Sequence, residues 1–242
     1  MEKQKNASDM MIERTGDTYE YETFVEGVRC LERNEGCKAM YYFVASAQQG
    51  GLEDARNMIE QYLAEDTQRK VDEIKAAANA EDTRAQYVLS YLFDQGIGVE
   101  KGPLQSERWL NRAASRGLAD AQLLMGRNCL YWRNEEANWW FMQAAEQGHM
   151  EAQCELAVSY ASGMGVPEDM GEAIRWHTLA AEQGQTESCR MLGLLYKAGE
   201  GVEADHAKAA YWIRRTHELR GAIEEELLEW AETVEKNTPA GE

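Results

Sequence analysis

Residues 152–184 read AQCELAVSYASGMGVPEDMGEAIRWHTLAAEQG. This pattern predicts two helices joined by a turn at Gly163 and Gly165, because glycine adopts the positive φ that a tight turn after a helix requires. Leu156 and Tyr160 are four residues apart and therefore share one face of the first helix. One such pair cannot bury its apolar faces alone, so the pattern favours a stack of similar pairs.

The same pattern occurs at other places in the chain. It starts again at Ala85 and at Ser188, and a shortened form starts at Ala121, where residues 132–134 replace the glycine turn. The spacing from Ala152 to Ser188 is 36 residues, and a repeat of this size is typical of stacked repeat proteins. We therefore expect an all-α chain built as one continuous solenoid of about six helix-turn-helix repeats.

The remaining segments are assigned around these repeats. The repeat over 52–78 is the weakest, since it lacks the glycine turn, and Glu81 stands where other repeats have their closing glycine. The predicted divisions are a frayed N-terminus over 1–14, diverged repeats over 15–82, well-formed repeats over 83–216, a capping helix over 217–236 and a tail over 237–242.

The composition is that of a soluble globular protein with an acidic surface. Of the residues, 44% are hydrophobic and 28% are charged, and the net charge is −18. The acidic excess is concentrated before residue 83 and after residue 216, which favours a solvated surface with polar caps over an acidic binding site. Such a charge argues against nucleic acid as a partner but is compatible with a basic protein partner.

The sequence contains no predicted targeting segment or regular disulfide framework. The N-terminal residues are polar and no apolar run is long enough to cross a membrane, so neither a signal peptide nor membrane insertion is expected. The five cysteines show no regular pairing, and Cys129 takes the core position that Tyr160 holds elsewhere. We therefore expect reduced thiols and a cytoplasmic location.

No set of residues predicts catalysis or a cofactor. The four histidines form no His-x-x-x-His pair, and no Gly-x-Ser-x-Gly or Cys-x-x-Cys motif occurs. The paired turn glycines, such as Gly96 and Gly98, are explained by helix–helix turns rather than by phosphate binding. We expect a non-enzymatic protein without a catalytic site, a metal site or a cofactor.

The combined motif is Ala-Gln-x-x-Leu-Gly-x-x-Tyr-x-x-Gly-x-Gly-Val followed by Ala-x-x-Trp-x-x-x-Ala-Ala-x-x-Gly. It resembles the Sel-one-like repeat, a relative of the tetratricopeptide repeat, strongly over 85–214 and more weakly over 21–78. The resemblance implies a right-handed α/α superhelix with first helices on its concave side and second helices on its convex side. It also implies a protein-interaction role, commonly in bacteria.

Some secreted members of this family have regular cysteine pairs and have been linked to β-lactamase activity. This chain lacks those pairs and contains no Ser-x-x-Lys, Ser-Asp-Asn or Lys-Thr-Gly motif. We therefore do not expect that activity.

Candidate partner-binding residues follow from the first helices. If Leu156 and Tyr160 face the core, the intervening positions and the residues that open each helix point into the groove. Tyrosine and arginine are enriched at the energetic centres of interfaces, although the two tyrosines could equally pack between repeats. The candidates are Tyr87, Tyr91, Asp94, Asp120, Leu123, Arg127, Glu151, Val158, Glu187, Arg190 and Leu194, with Arg84 among the residues that open these helices.

Three tryptophans lie in the shortened repeat. One of Trp139 and Trp140 should fill the core position, and the other, or Trp132, is a candidate for exposure. Packing over the shortened turn is favoured over an aromatic anchor for a partner.

Two functions are therefore predicted, in order of preference. The first is a cytoplasmic adaptor or scaffold that binds another protein in its concave groove. The second is a bacterial immunity protein that neutralises a secreted toxin by tight binding.

Overall fold

The computed structural model describes residues 19–50, 53–130, 132–220 and 225–237, and these residues contain thirteen α-helices and no β-strand. The all-α prediction is therefore confirmed. The expectations for 1–14 and for the tail over 237–242 lie outside the described residues, except that Asn237 is the last residue of the final helix. The helices are α1 (Tyr19–Glu32), α2 (Gly36–Gly50), α3 (Glu53–Ala64), α4 (Thr67–Asn79), α5 (Thr83–Gln95), α6 (Pro103–Ser115), α7 (Ala119–Cys129), α8 (Asn134–Glu146), α9 (Met150–Ser162), α10 (Met170–Glu182), α11 (Thr186–Ala198), α12 (His206–Arg220) and α13 (Glu225–Asn237).

The helices follow the predicted order of six pairs and one final helix. Odd-numbered helices from α1 to α11 are the first helices of their pairs and even-numbered helices are the second. The chain divides into two compact units, one ending at Ala121 and the other starting at Gln122, so that the boundary falls within α7. In the first unit α2 packs against α5 as well as α3.

The glycine turn after α9 needs glycine for two separate reasons. Gly163 ends the helix with φ 66° and donates its N–H to the carbonyl of Ser159, as expected for a left-handed C-cap. Gly165 has φ 75°, and a Cβ there would lie 2.5 Å from the backbone carbon of Asn134. The turn is therefore set both by backbone conformation and by its close approach to α8.

The glutamine of the Ala-Gln motif links α5 and α9 to the second helix that precedes each of them. In α9 the buried Gln153 donates from Nε2 to the carbonyl of Ala145, at 3.2 Å. Its Oε1 accepts from Nε2 of Gln183, at 2.8 Å. In α5 Gln86 donates to the carbonyl of Ala78, at 3.0 Å. These side chains pair buried polar groups that would otherwise be costly to leave without a partner.

The weak repeat is closed by a residue that is not glycine. Glu81 has φ 71°, and the closing glycines of other repeats, such as Gly117 and Gly184, also have positive φ. An L-residue held in this region is strained by about 1–2 kcal/mol. Its carboxylate forms an ion pair with the guanidinium of Arg116.

The final helix covers the end of the second unit. Leu227 and Ala231 of α13 are buried against Ala210 and Ile213 of α12. Within the described residues, no helix is long and apolar enough to cross a membrane. None of the five cysteines forms a disulfide, and Cys37 is the exposed one.

Candidate functional site

The first helices of the second unit present a mixed charged and apolar surface. We name it the first-helix face and define it by Arg127 on α7, Glu155 and Val158 on α9, and Glu187 and Arg190 on α11. Nε of Arg127 donates to Oε1 of Glu155 at 2.9 Å, which joins α7 to α9. Glu155 and Val158 are three residues apart and therefore lie on the same side of α9.

The side chains of this face combine exposure with fixed orientation. Val158 is 44% exposed although it is apolar. On α11 the guanidinium of Arg190 donates to both carboxylate oxygens of Glu187, at 3.0 and 2.6 Å. Surface ion pairs of this kind contribute little to stability, but they hold each guanidinium in one orientation, which lowers the entropy cost of binding.

In the first unit three predicted residues gather around Tyr41 of α2. Its hydroxyl donates to Oδ2 of Asp120 at 2.5 Å, and the Arg84 guanidinium lies 5.0 Å from its ring centroid. Its ring packs edge-on against Tyr87, with centroids 6.2 Å apart. Tyr41 was not a candidate because it lies on a second helix, and the α2–α5 contact has no signal in the sequence.

Several other candidates lie inside the helix packing. Tyr87, Tyr91 and Leu123 are 2%, 6% and 3% exposed. This burial favours packing between repeats, which was the alternative for the two tyrosines. Their role in binding a partner stays a prediction.

The three remaining candidates have different surroundings. Leu194 is half-buried and packs against the α12–α13 cluster that contains Ile213. Asp94 is exposed at the end of α5. Glu151 is largely buried, with one carboxylate oxygen 3.2 Å from Nδ1 of His149. None of these three belongs to the first-helix face as defined above.

The tryptophans separate as the spacing predicted. Trp140 fills the core position at 7% exposure, and Trp139 is 53% exposed with its ring edge-on to Trp140, the centroids 4.5 Å apart. Trp132 is 88% exposed. The favoured interpretation that it covers the shortened turn is therefore wrong for Trp132, while Trp139 does pack on its neighbour.

One buried polar cluster has residue types that could suggest nucleophilic catalysis. Ser188 is hydrogen-bonded to Cys154, and its Oγ lies 3.0 Å from Nδ1 of His177, which is fully buried. Burial lowers the pKa of His177 to about 4 and raises the pKa of Cys154 to about 11. Both groups are therefore neutral near pH 7, away from solvent, and neither is an activated base or nucleophile.

The described residues also offer no metal centre. No group of three or more histidine, cysteine, aspartate or glutamate side chains is placed to hold a metal ion in this part of the chain.

Comparison with known proteins gives a family match and two informative structural matches. The Sel1 repeat model matches residues 83–118, 134–149, 151–185 and 186–216. The crystal structure of a Sel1 repeat protein from Oxalobacter formigenes is 32% identical, with a TM-score of 0.50, over 51% of this chain and 97% of that chain. No curated protein matches the chain.

The second structure is c5321, a protective antigen present in uropathogenic Escherichia coli strains that displays an SLR fold. It is 20% identical with a TM-score of 0.63, over 91% of this chain and 54% of that chain. The present chain thus spans about half the length of c5321. At this identity the likeness concerns the fold, which is an α-solenoid.

Proposed function

Because this chain belongs to the Sel1 repeat family, whose members are generally non-catalytic protein–protein interaction modules, we propose that it is an adaptor that binds a partner protein. The partner lies against the first-helix face, in the groove that the family resemblance predicts. The protein itself carries out no chemical reaction in this proposal. The partner is held by contacts with side chains of α7, α9 and α11.

The observation that carries the proposal is the exposure of Val158 beside oriented arginines. An apolar side chain that is 44% exposed gains free energy when a partner removes it from water. Arg127 donates to Glu155, which is three residues before Val158 on α9, and arginine is among the residues that contribute most to protein interfaces. A binding centre of one apolar anchor and neighbouring oriented cations is consistent with a protein partner.

The free thiols support a reducing compartment for this interaction. None of the five cysteines forms a disulfide, and burial raises the pKa of both Cys154 and Cys189 to about 11. Because thiols of this kind persist where disulfides are kept reduced, we place the adaptor in the cytoplasm.

The experiment is affinity capture from host lysate with matched variants. Val158→Asp places a charge on the first-helix face, and Leu179→Asp makes a comparable change at an exposed apolar residue of α10. We expect the wild type and Leu179→Asp to capture the same partner and Val158→Asp to lose it. All three proteins should have the same helical content by circular dichroism.

The result also separates the two predicted functions. Several substoichiometric partners that share one pathway would indicate an adaptor. One stoichiometric and salt-resistant partner that is toxic when produced alone would indicate the immunity protein instead. Equal capture by Val158→Asp and the wild type would refute the first-helix face as the binding surface.

A further inference from the structure

Three arginines of the first unit differ from the other arginines. Every other arginine whose side chain the structure describes forms an ion pair with an aspartate or glutamate. Arg84, Arg108 and Arg112 have no such partner among the described residues. In a chain with 43 acidic and 25 basic residues, this clustering of unpaired cations needs an explanation.

Two of these arginines lie on one exposed face of α6. Arg108, Arg112 and Arg116 are spaced four residues apart and therefore share that face. Leu104 precedes them at the same spacing and is 73% exposed. The guanidinium of Arg112 lies 5.0 Å from the ring centroid of Trp109. We name these five residues the α6 arginine face.

The lack of a partner for Arg108 has a specific cause in the repeat. Arg175 of α10 holds the equivalent position, 67 residues later, and donates to both carboxylate oxygens of Glu172. The position equivalent to Glu172 in α6 is Gln105. A neutral residue has replaced the carboxylate that would neutralise Arg108 within the same helix.

This spacing also brings like charges together on the helix. Like charges four residues apart repel each other, and the cost is a few tenths of a kcal/mol for each pair. Beyond the C-terminal end of α6, Arg116 and Arg84 also line a cavity of about 500 Å³ together with Lys38, Glu81 and Asp82. Arg116 is paired with Glu81 and Lys38 with Glu35, so Arg84 is the cation of this cavity without an ion pair among the described residues.

We propose that the α6 arginine face binds an acidic segment of a partner protein. Carboxylates of the segment pair with Arg108 and Arg112, and an apolar side chain packs on Leu104 and Trp109. Guanidinium groups suit this role because their planar donors bind carboxylates bidentately and stack on indole. The face lies on a second helix, so this site goes beyond the first-helix face and does not depend on it.

The test uses the full chain and a fluorescein-labelled peptide of repeated Glu-Glu-Leu-Glu units, followed by fluorescence anisotropy. We expect the wild type to bind it, and the double variant Arg108→Ala, Arg112→Ala to bind about tenfold more weakly. Gln105→Glu should also weaken binding, because its carboxylate neutralises Arg108, while it should raise thermal stability. If Gln105 had only a structural role, Gln105→Glu would not weaken peptide binding while raising thermal stability.

Two matched variants complete the design. Arg175→Ala removes the same charge from the equivalent position of α10 and should leave peptide binding unchanged. Val158→Asp, which tests the first-helix face, should also bind the peptide normally. Failure of this proposal is thereby distinguishable from failure of the proposed function.

Several outcomes would overturn the proposal. The wild type could fail to bind the acidic peptide, or the double variant could bind it as tightly as the wild type does. The wild type could also bind a peptide with lysine in place of glutamate with the same affinity. Tighter binding of a labelled DNA duplex than of the acidic peptide would assign the face to nucleic acid instead. A dimer of this chain in analytical ultracentrifugation that the double variant abolishes would replace the partner by a second copy.

Discussion

The pairs α5–α6 and α9–α10 are two copies of one repeat, but the equivalent buried glutamines differ in their hydrogen-bond partners. In α9–α10, Gln183 donates to Oε1 of Gln153 at 2.8 Å. The position of Gln183 is held in α5–α6 by Arg116, which forms an ion pair with Glu81 instead. Oε1 of Gln86 is consequently buried without a hydrogen-bond partner among the described residues.

A second position shows the same exchange. Glu172 neutralises Arg175 in α10, while Gln105 leaves Arg108 without an ion pair in α6. At both positions α5–α6 has lost an interaction within the repeat and has kept positive charge at its surface. Because departures from locally favourable choices are expected at functional sites, the comparison supports the proposal that the outer surface of α6 binds a partner.

The largest predicted effect is the loss of stability when a turn glycine of either pair is replaced by alanine. Gly98 and Gly165 both have positive φ, so alanine is strained at either position. A Cβ at Gly165 would meet the backbone of Asn134 at 2.5 Å, whereas at Gly98 the nearest atom is Val71 Cγ2 at 3.0 Å. We expect Gly165→Ala to lower the free energy of unfolding by about 4 kcal/mol and Gly98→Ala by about 2 kcal/mol. Equal losses in urea denaturation would contradict the assigned contact.

The next prediction is a loss of stability at acidic pH, which we expect from α9–α10 and not from α5–α6. His177 in α10 is replaced by Leu110 at the equivalent position in α6. Burial lowers the pKa of His177 from its ordinary value of 6.5 to about 4. As pH falls below 6.5 the unfolded chain therefore binds the proton first, so stability is lost between pH 6.5 and pH 4.

The size of this effect follows from the pKa difference. Each unit of difference corresponds to about 1.4 kcal/mol, so we expect His177 to account for a loss of about 2 kcal/mol between pH 7 and about pH 4.5. His177→Leu should remove this part of the pH dependence of the unfolding free energy. Parallel pH profiles of the variant and the wild type would show that the histidine is accessible to protons in the folded chain.

The smallest predicted effect comes from supplying the missing hydrogen-bond donor for Gln86. Arg116→Gln supplies a donor for Oε1 of Gln86 and should raise the free energy of unfolding by about 1 kcal/mol. The lost ion pair to Glu81 is exposed and should subtract little. Hydrogen exchange of α5 amides, measured against those of α9, should slow in this variant. Unchanged exchange in α5 would mean that the buried oxygen is already satisfied.

The sequence was sufficient for the repeats but not for contacts between distant helices. The spacing of Leu156, Tyr160 and the turn glycines predicted the helix order, and Glu81 was correctly identified at a glycine position. The sequence left open whether Tyr87 points into the groove or packs between repeats, because its burial depends on α2 packing against α5. Tyr41 and Glu155 were missed for the same reason, since each contacts a residue on another helix and no spacing within one helix records such a contact.

The charges of α6 show a further limit of sequence reasoning. An alignment of the repeats places Gln105 opposite Glu172, but the sequence does not say which arginines form ion pairs elsewhere. Only the side-chain distances separate Arg108 and Arg112 from the paired arginines. The overall charge of −18 was compatible with a basic partner, whereas this local surface favours an acidic one.

The most direct test of the first-helix face is hydroxyl-radical footprinting of the captured complex. Side-chain oxidation is compared between the free protein and the complex at Val158 and at Tyr211, which is 58% exposed on the second helix α12. We predict that the partner protects Val158 and leaves Tyr211 as reactive as in the free protein. Protection of Tyr211 together with full oxidation of Val158 would place the partner on the second helices and contradict the proposed function.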